Sequence, residues 1–107
     1  MSKVLATIAT ILFPIALWAA EQTVVVDVNG NCNMCRKKIE KAAKSVSGVD
    51  DASWDKKAKK LTIEFDDAVT NKDKVVAAVL KAGYDADGKM ATDEAYNTLP
   101  DCCRYRD

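Results

Sequence analysis

The sequence predicts an α+β fold in which two helices cover one face of an antiparallel sheet. Three observations predict it: short segments rich in β-branched residues, longer segments with apolar residues at helical spacing, and the order in which the two kinds follow one another. That order is strand, helix, strand, strand, helix, strand. It is typical of a ferredoxin-like βαββαβ sandwich with a four-stranded sheet, here followed by a short C-terminal extension.

Four segments have the composition of strands. Residues 22–28 (QTVVVDV) are rich in valine, and residues 49–55 (VDDASWD) and 60–65 (KLTIEF) are joined by the polar turn KKAK. In KLTIEF apolar and polar residues alternate, as expected of a sheet with one covered face. The short apolar segment 84–86 is predicted to close the sheet as its fourth strand.

Two segments have apolar residues at helical spacing, with lysines on the opposite face. The first helix is predicted over residues 35–45 and ends before Gly48, a typical stop signal. The second is predicted between a capping threonine, Thr70, and a terminating glycine, Gly83. The apolar stripes consist of Ile39, Ala42, Ala43 and Val46 in the first helix and Val75, Val76, Val79 and Leu80 in the second.

The first residues have the pattern of a secretory signal peptide. Lys3 precedes the nearly uncharged stretch VLATIATILFPIALWAA, which ends in alanines. Threonines and Pro14 interrupt the apolar run, so a retained membrane anchor is disfavoured. Cleavage after Ala19 puts Leu17, rather than the bulky Trp18, two residues ahead of the last residue removed. We therefore predict a signal peptide over residues 1–19 and a periplasmic protein.

The rest of the chain has room for one small domain. We predict the domain over residues 20–87 and a tail over residues 88–107, which carries an adjacent pair of cysteines. The whole chain has 16 basic and 16 acidic residues, and the lysines are scattered among the acids. This balance argues against nucleic acid as a partner and favours an ordinary solvated surface. We expect a monomer.

Two pairs of cysteines, Cys32 with Cys35 and Cys102 with Cys103, occur in a chain without histidine. In an oxidising compartment cysteines often form disulfides. A bridge between Cys32 and Cys35 closes only a tiny loop, however, and would add little stability. Three uses of this pair are open: a structural disulfide, the dithiol of an oxidoreductase, and a two-thiolate clamp for a soft metal ion.

The predicted location of Cys32 and Cys35 favours thiolate chemistry. They lie between the first strand and the first helix, where unpaired N–H groups and the positive end of the helix dipole stabilise a thiolate. Arg36, Lys37 and Lys38 add positive charge nearby. Sulfur ligands without nitrogen partners select soft ions such as Cu⁺ and Hg²⁺. They make Zn²⁺ less favourable unless the tail joins the site.

The alternative, a periplasmic dithiol/disulfide oxidoreductase, is disfavoured because thioredoxin-like proteins place a cis-proline against the dithiol. No proline lies between Glu21 and Leu99. Cys102 and Cys103 are adjacent and do not readily bridge each other. A tail of roughly 15 residues can reach back to Cys32. The tail cysteines are therefore candidate additional ligands, disulfide partners of the first pair, or idle thiols.

Several short segments resemble the heavy-metal-associated (HMA) domain family. These are WAAEQTV, VNG before the cysteines, SGV after the first helix, FDDA and KAGY. The family includes copper chaperones, modules of metal-pumping ATPases and periplasmic mercury-binding proteins, and the likeness to the last is marked. The resemblance implies that Cys32 and Cys35 are the metal ligands and that Tyr84 lies beneath the metal loop. It also implies a non-enzymatic carrier that passes Cu⁺ or Hg²⁺ to a membrane transporter or efflux pump.

The chain departs from the family pattern in the loop. The family has Gly-Met-x-Cys-x-x-Cys, whereas Gly30 is followed only by Asn31 before Cys32. The loop is therefore one residue shorter and lacks the usual buried methionine. Met34, between the cysteines, is expected to pack under the loop rather than to act as a soft ligand.

Overall fold

The structure is a computed structural model that describes residues 21–106. The predicted signal peptide, residues 1–19, lies outside the described residues. No helix in the described part of the chain is long and apolar enough to cross a membrane.

Three strands form one antiparallel sheet. They are β1 (Glu21–Asp27), β2 (Val49–Asp55) and β3 (Lys60–Asp66), in the order β1-β3-β2. Ile63 lies at the centre of β3, opposite Val24 on one side and Ala52 on the other. Alternate residues of β3 face the core, as its alternating sequence predicts. The three predicted strands are thus confirmed to within a residue at each end.

The fourth strand predicted at residues 84–86 does not form as a strand in the described part of the chain. Ala86 makes one isolated antiparallel bridge to Val28 and a second one to Lys89. Between them, Asp87 (φ 55°) and Gly88 (φ 77°) have left-handed backbone. The chain therefore folds back on itself before a ladder beside β1 can extend.

The two predicted helices are α1 (Asn33–Lys44) and α2 (Lys72–Lys81). The prediction of Thr70 as the cap of α2 is wrong, because the cap is Asn71. The Asn71 side chain accepts a hydrogen bond of 2.9 Å from the Lys74 N–H. Thr70 is buried instead. The threonine and the asparagine are adjacent good capping residues, and the sequence alone does not distinguish them.

The core lies between the helices and the inner face of the sheet. Helix α1 packs on β2 and on α2. The fully or nearly buried side chains include Ile39, Ala43, Val75, Val76 and Val79 from the helices and Ala52, Trp54, Leu61, Ile63 and Phe65 from the sheet. Both predicted apolar stripes therefore face this core.

The C-terminal extension also packs against the core. It contains a short helix, α3 (Asp93–Asn97), and a 3₁₀ helix (Asp101–Cys103). Its side chains Tyr96, Leu99 and Cys103 are buried together with those of the main core. The extension returns to the end of the molecule that carries Cys32 and Cys35.

Candidate metal centre

The backbone of the loop before α1 is held by contacts with the β2–β3 hairpin. The Trp54 indole N–H donates a 3.0 Å hydrogen bond to the Val28 carbonyl, and the Lys59 ammonium donates to the Gly30 carbonyl. A Cβ at Gly30 would lie 3.0 Å from the Trp54 ring and 3.2 Å from Ile39. Any side chain at this position would therefore require Trp54 or Ile39 to shift by a few tenths of an ångström.

Cys32 and Cys35, the loop pair, lie side by side at the start of α1. Cys32 is the N-cap residue and is partly exposed, whereas Cys35 is in the first turn and is fully buried. Their Sγ atoms are 3.3 Å apart. The Cys35 thiol donates a hydrogen bond of 3.1 Å to the Asn31 side-chain oxygen. Residues three apart share one face of a helix, so the CxxC spacing places both sulfurs together.

The electrostatic environment of Cys32 favours its thiolate. Burial raises the pKa of Cys32, but interactions with the Cys35 N–H, the Cys35 and Cys103 thiols and the Met34 N–H outweigh it and lower the pKa from 9.0 to about 7. Cys32 makes no conventional side-chain cap hydrogen bond. The N–H groups of Met34 and Cys35 in the first turn therefore favour the thiolate, as predicted from the location of the pair.

Cys102 and Cys103, the tail pair, lie beside the same sulfur. The Cys32 Sγ is 3.7 Å from that of Cys103 and 4.0 Å from that of Cys102. The three sulfurs of Cys32, Cys102 and Cys103 all lie within 4.8 Å of one another. All four cysteines are free thiols. The structure thus brings both pairs together, with Cys32 adjacent to each of the other three.

Met34 does not pack under the loop, so that prediction is wrong. Its side chain is 47% exposed. The Cys102 thiol points toward the Met34 Sδ at 3.8 Å. Because helix α1 begins at Asn33, Met34 falls on the outer side of the first turn, away from the core. Met34 and Cys102 therefore form the exposed side of the sulfur cluster, and Cys35 and Cys103 form its buried side.

Tyr84 lies beneath the cluster, as the family resemblance implies. It is fully buried, and its hydroxyl has no conventional hydrogen-bond partner in residues 21–106. Burial raises the pKa of Tyr84, and the thiols of Cys103 and Cys35 are the polar neighbours that raise it further. Burial likewise raises the pKa of Cys103. The inner side of the cluster is therefore a poorly solvated region in which neutral groups are favoured.

The residues that hold the tail were missed by sequence reasoning. The Tyr105 hydroxyl donates a 2.9 Å hydrogen bond to the Gly83 carbonyl and accepts one of 2.7 Å from the Asp85 N–H. The Arg106 guanidinium forms an ion pair of 2.7 Å with Asp85. Burial opposes ionisation of Asp85, but Arg106 and the Ala91 N–H lower its pKa. No spacing in the sequence indicates these contacts, which join distant residues.

A family model, the heavy-metal-associated domain, matches residues 25–85. The chain belongs to the heavy-metal-associated domain family. The HMA match includes both cysteines of the loop pair and ends before the tail pair. The fold, the location of the CxxC pair and the family assignment therefore agree, and the tail pair lies beyond the part that the family model describes.

The named relatives of this HMA-family chain are transport proteins. The mercuric transport protein periplasmic component of Pseudomonas aeruginosa is 33% identical over 91 residues, covering 84% of this chain and all of the relative. Its counterpart in Salmonella typhi is 38% identical over 87 residues, covering 78% of this chain and 93% of the relative. Both support membership of the family well beyond the CxxC motif.

Solved structures of metal-binding proteins share the fold. Oxidized MerP from Ralstonia metallidurans CH34 is 34% identical with a TM-score of 0.60, covering 63% of this chain and 94% of that one. The copper chaperone of Enterococcus hirae is 31% identical with a TM-score of 0.56, covering 59% of this chain and 94% of that one. The HMA fold thus serves both mercury and copper proteins among these neighbours.

Proposed function

We propose that this protein binds a soft metal ion, Cu⁺ or Hg²⁺, through Cys32 and Cys35 and passes it to a membrane transporter or efflux pump. The observation that carries the proposal is the geometry of the loop pair: two sulfurs 3.3 Å apart at the start of α1. Thiolates without nitrogen partners prefer soft ions. Names of both copper and mercury proteins occur among the relatives and structural neighbours, so both ions remain in the proposal.

The different exposure of the two cysteines supports an order of steps. Partly exposed Cys32, with its pKa of about 7, is near half ionised at neutral pH and attacks the incoming metal complex first. Buried Cys35 then binds and releases its thiol proton to solvent, while the donor's sulfur leaves with its electron pair. A partner's cysteine reverses these steps when it takes the ion. Such exchange makes and breaks only metal–sulfur and sulfur–hydrogen bonds and needs no oxidant.

The cellular setting follows from the relatives and from the N-terminal sequence. The relatives are named as periplasmic components of mercuric transport. The predicted signal peptide, residues 1–19, supports export, and the predicted domain, residues 20–87, contains the loop pair. A small periplasmic carrier that collects the ion and delivers it to the membrane fits both. It is a binding protein and not an enzyme, and the oxidoreductase alternative has no support among the relatives.

The proposal is tested by titrating the reduced mature chain with Cu⁺, Hg²⁺ and Zn²⁺ and weighing the complexes by native mass spectrometry. We expect one soft ion per chain and much weaker binding of Zn²⁺. Cys32→Ser/Cys35→Ser should lose most of the affinity while its circular dichroism stays nearly unchanged. Cys102→Ser/Cys103→Ser is the matched control and should still bind one ion. Tight binding by Cys32→Ser/Cys35→Ser would refute the assignment of the loop pair.

The same preparations distinguish the carrier from the oxidoreductase. A carrier should show negligible insulin-reductase turnover in the presence of a thiol reductant. Sustained turnover that depends on Cys32 and Cys35, without metal binding, would replace the carrier function by the alternative.

A further inference from the structure

We propose that the C-terminal tail completes the metal centre, so that Cys102 and Cys103 join Cys32 in a three-sulfur site and Cys32 is the ligand shared with the loop pair. This inference rests on the proposed function, since it concerns the same ion. It concerns a segment beyond residues 25–85, the part that the family model matches. The tail then supplies additional sulfur ligands from the same chain, without a partner protein.

The sulfur–sulfur distances fit three-coordinate binding at the tail better than two-coordinate binding at the loop. With metal–sulfur bonds of about 2.3 Å, sulfurs in a trigonal plane lie about 4.0 Å apart and opposite sulfurs in a linear site lie about 4.6 Å apart. The Cys32 Sγ is 3.7 and 4.0 Å from those of Cys103 and Cys102. The loop pair at 3.3 Å must open to bind an ion linearly. Both distances from Cys32 to the tail sulfurs are thus already close to the trigonal spacing, and the three sulfurs of Cys32, Cys102 and Cys103 lie within 4.8 Å of one another.

Contacts that do not involve sulfur fix the position of the tail. Tyr105 is hydrogen-bonded to the chain after α2, through the Gly83 carbonyl and the Asp85 N–H. Its ring stacks near Tyr84 and meets Tyr96 edge-on, with centroids 6.1 and 5.1 Å away. None of these contacts requires a metal–sulfur bond. The tail sulfurs are therefore held in place beforehand, and the ion does not have to order them.

Gly83 permits this close approach. A Cβ at Gly83 would lie 2.7 Å from the Ala95 carbonyl oxygen and 3.1 Å from Leu99. Its φ of 109° is also in the region that other residues rarely adopt. Gly83 thus leaves space for α3 and for Leu99, which precedes the 3₁₀ helix of Cys102 and Cys103.

Tyr84 supplies a second, independent observation that points to a ligand. Its hydroxyl is fully buried and without a conventional partner in residues 21–106, and the Cys103 and Cys35 thiols are its polar neighbours. A buried hydroxyl donor without an acceptor is costly. When Cys103 loses its proton to a metal–sulfur bond, the thiolate becomes a strong acceptor that the Tyr84 O–H can satisfy. The hydroxyl is therefore poised for the metal-bound state.

A three-thiolate site has consequences for the ion and for its release. Three sulfurs suit Cu⁺ better than Hg²⁺, which is satisfied by two thiolates in line. Each tail thiol releases one proton to solvent as its bond to the ion forms. The bond between the ion and Cys35 then breaks and Cys35 takes up a proton from solvent, so that the ion keeps three sulfur ligands. Transfer to a partner requires exposed Cys102 to leave first, while buried Cys103 holds the ion against the protein. The tail thus slows loss of the ion and biases the site toward copper.

X-ray absorption at the copper edge of the Cu⁺-loaded, reduced mature chain tests the inference. We expect three sulfur neighbours in the unaltered chain and two in Cys102→Ser/Cys103→Ser. In competition with a Cu⁺ chelator, affinity should fall at least about tenfold, because a tethered ligand acts at high effective concentration. Hg²⁺ affinity should fall less. Asp101→Asn, in the same 3₁₀ turn, is the matched control and should keep three sulfurs.

A second variant keeps all four cysteines, so that an effect on metal binding cannot come from the loss of a thiol or from misfolding caused by the cysteine substitutions. Tyr105→Phe removes the hydroxyl that joins the tail to Gly83 and Asp85 and leaves the ring packing. It should lower the mean sulfur number or the Cu⁺ affinity in the direction of Cys102→Ser/Cys103→Ser. Two sulfur neighbours and equal affinity in the unaltered chain and in Cys102→Ser/Cys103→Ser would overturn the inference but leave the proposed function standing. Tight Cu⁺ binding by Cys32→Ser/Cys35→Ser, through Cys102 and Cys103 alone, would overturn the proposed function instead.

Discussion

The loop pair and the tail pair reach the same place by different physical means. Cys32 and Cys35 are brought together by local structure, because a helix beginning at Asn33 puts residues three apart on one face. Cys102 and Cys103 are about 70 residues away in sequence from Cys32. Tertiary contacts of Tyr105, Arg106 and Leu99 position them. A local motif thus provides the proposed capture site, and the proposed additional ligands come from a segment whose position depends on the whole fold.

Among substitutions in the loop pair and the tail pair, Cys32→Ser should cause the largest loss of metal affinity. Cys32 is adjacent to both pairs, so its loss removes a ligand from the loop site and from the tail site together. We expect Cu⁺ and Hg²⁺ affinities to fall by a factor on the order of a hundred or more, as when a chelate becomes a single-ligand site. Competition with a chelator of known affinity measures the loss.

Cys102→Ser is the matched comparison for Cys32→Ser. Cys102 is the exposed member of the tail pair, and its Sγ lies 4.0 Å from that of Cys32 and 3.8 Å from the Met34 Sδ. Its replacement should cost far less affinity than the loss of Cys32. Equal losses in the two variants would contradict the central position of Cys32.

Leu99→Ala tests whether the tail is part of the cooperative fold. Leu99 is only 3% exposed and packs against the chain at Gly83. Truncating such a buried leucine typically costs about 2–5 kcal/mol of the free energy of unfolding. We expect a loss within that range, together with weaker Cu⁺ binding. Urea unfolding of the reduced, metal-free protein measures the loss.

The control for Leu99→Ala is Thr98→Ala, an exposed change in the same turn. It should alter the free energy of unfolding by less than about 0.5 kcal/mol. If Leu99→Ala proved equally mild, the tail would unfold separately from the domain, and the long-range positioning of Cys102 and Cys103 would lose its basis.

Most of the domain could be predicted from the sequence because its signals are local. Alternation in KLTIEF, the apolar stripe ending near Val46 and the spacing of Cys32 and Cys35 each depend on neighbouring residues. The fourth strand could not be excluded, because the turn at Asp87 and Gly88 that stops it is set by backbone conformation. The family resemblance added the proposed role of Cys32 and Cys35 as metal ligands.

The tail pair was identified from the sequence only as a candidate. Its location depends on Tyr105, Arg106 and Asp85, whose contacts join residues about 20 apart without any periodic pattern. Met34 was misjudged because the first helix begins two residues earlier than its apolar stripe indicates. Long-range polar contacts and helix starts are the two features that single-sequence patterns specify least.

The pH dependence of cysteine alkylation should distinguish the exposed from the buried sulfurs. Folding lowers the pKa of Cys32 to about 7, so its alkylation rate in the reduced, metal-free protein should be half-maximal near that pH. The unfolded chain binds the extra proton between about pH 7 and 9, so this group stabilises the fold increasingly as pH rises through that window. The contribution is lost as pH falls through about 7. Peptide mapping by mass spectrometry follows the alkylation.

The pKa of Cys103 is shifted in the opposite direction to that of Cys32, so its contribution to stability should have the opposite pH dependence. Burial raises its pKa, so the folded chain keeps a proton that the unfolded chain loses above the ordinary thiol range. Its alkylation should remain slow where that of Cys32 is complete. Equal alkylation profiles for Cys32 and Cys103 would show that the tail is open in solution.

The smallest effect is expected from the cations that follow the loop pair. Arg36, Lys37 and Lys38 are all exposed, and the main influences on the pKa of Cys32 are burial, backbone N–H groups and neighbouring thiols. Replacing the three cations by glutamine should therefore raise the pKa of Cys32 only slightly and slow metal capture modestly. Both effects should fade at high salt, because the distance over which exposed charges interact falls from about 10 Å at 0.1 M to about 3 Å at 1 M. Cys103→Ser, which removes a thiol beside Cys32, should raise the pKa more. Alkylation profiles of the two variants at low and high salt measure the difference. A larger, salt-sensitive shift in the cation variant would mean that surface charge, rather than the helix start and the neighbouring sulfurs, activates Cys32.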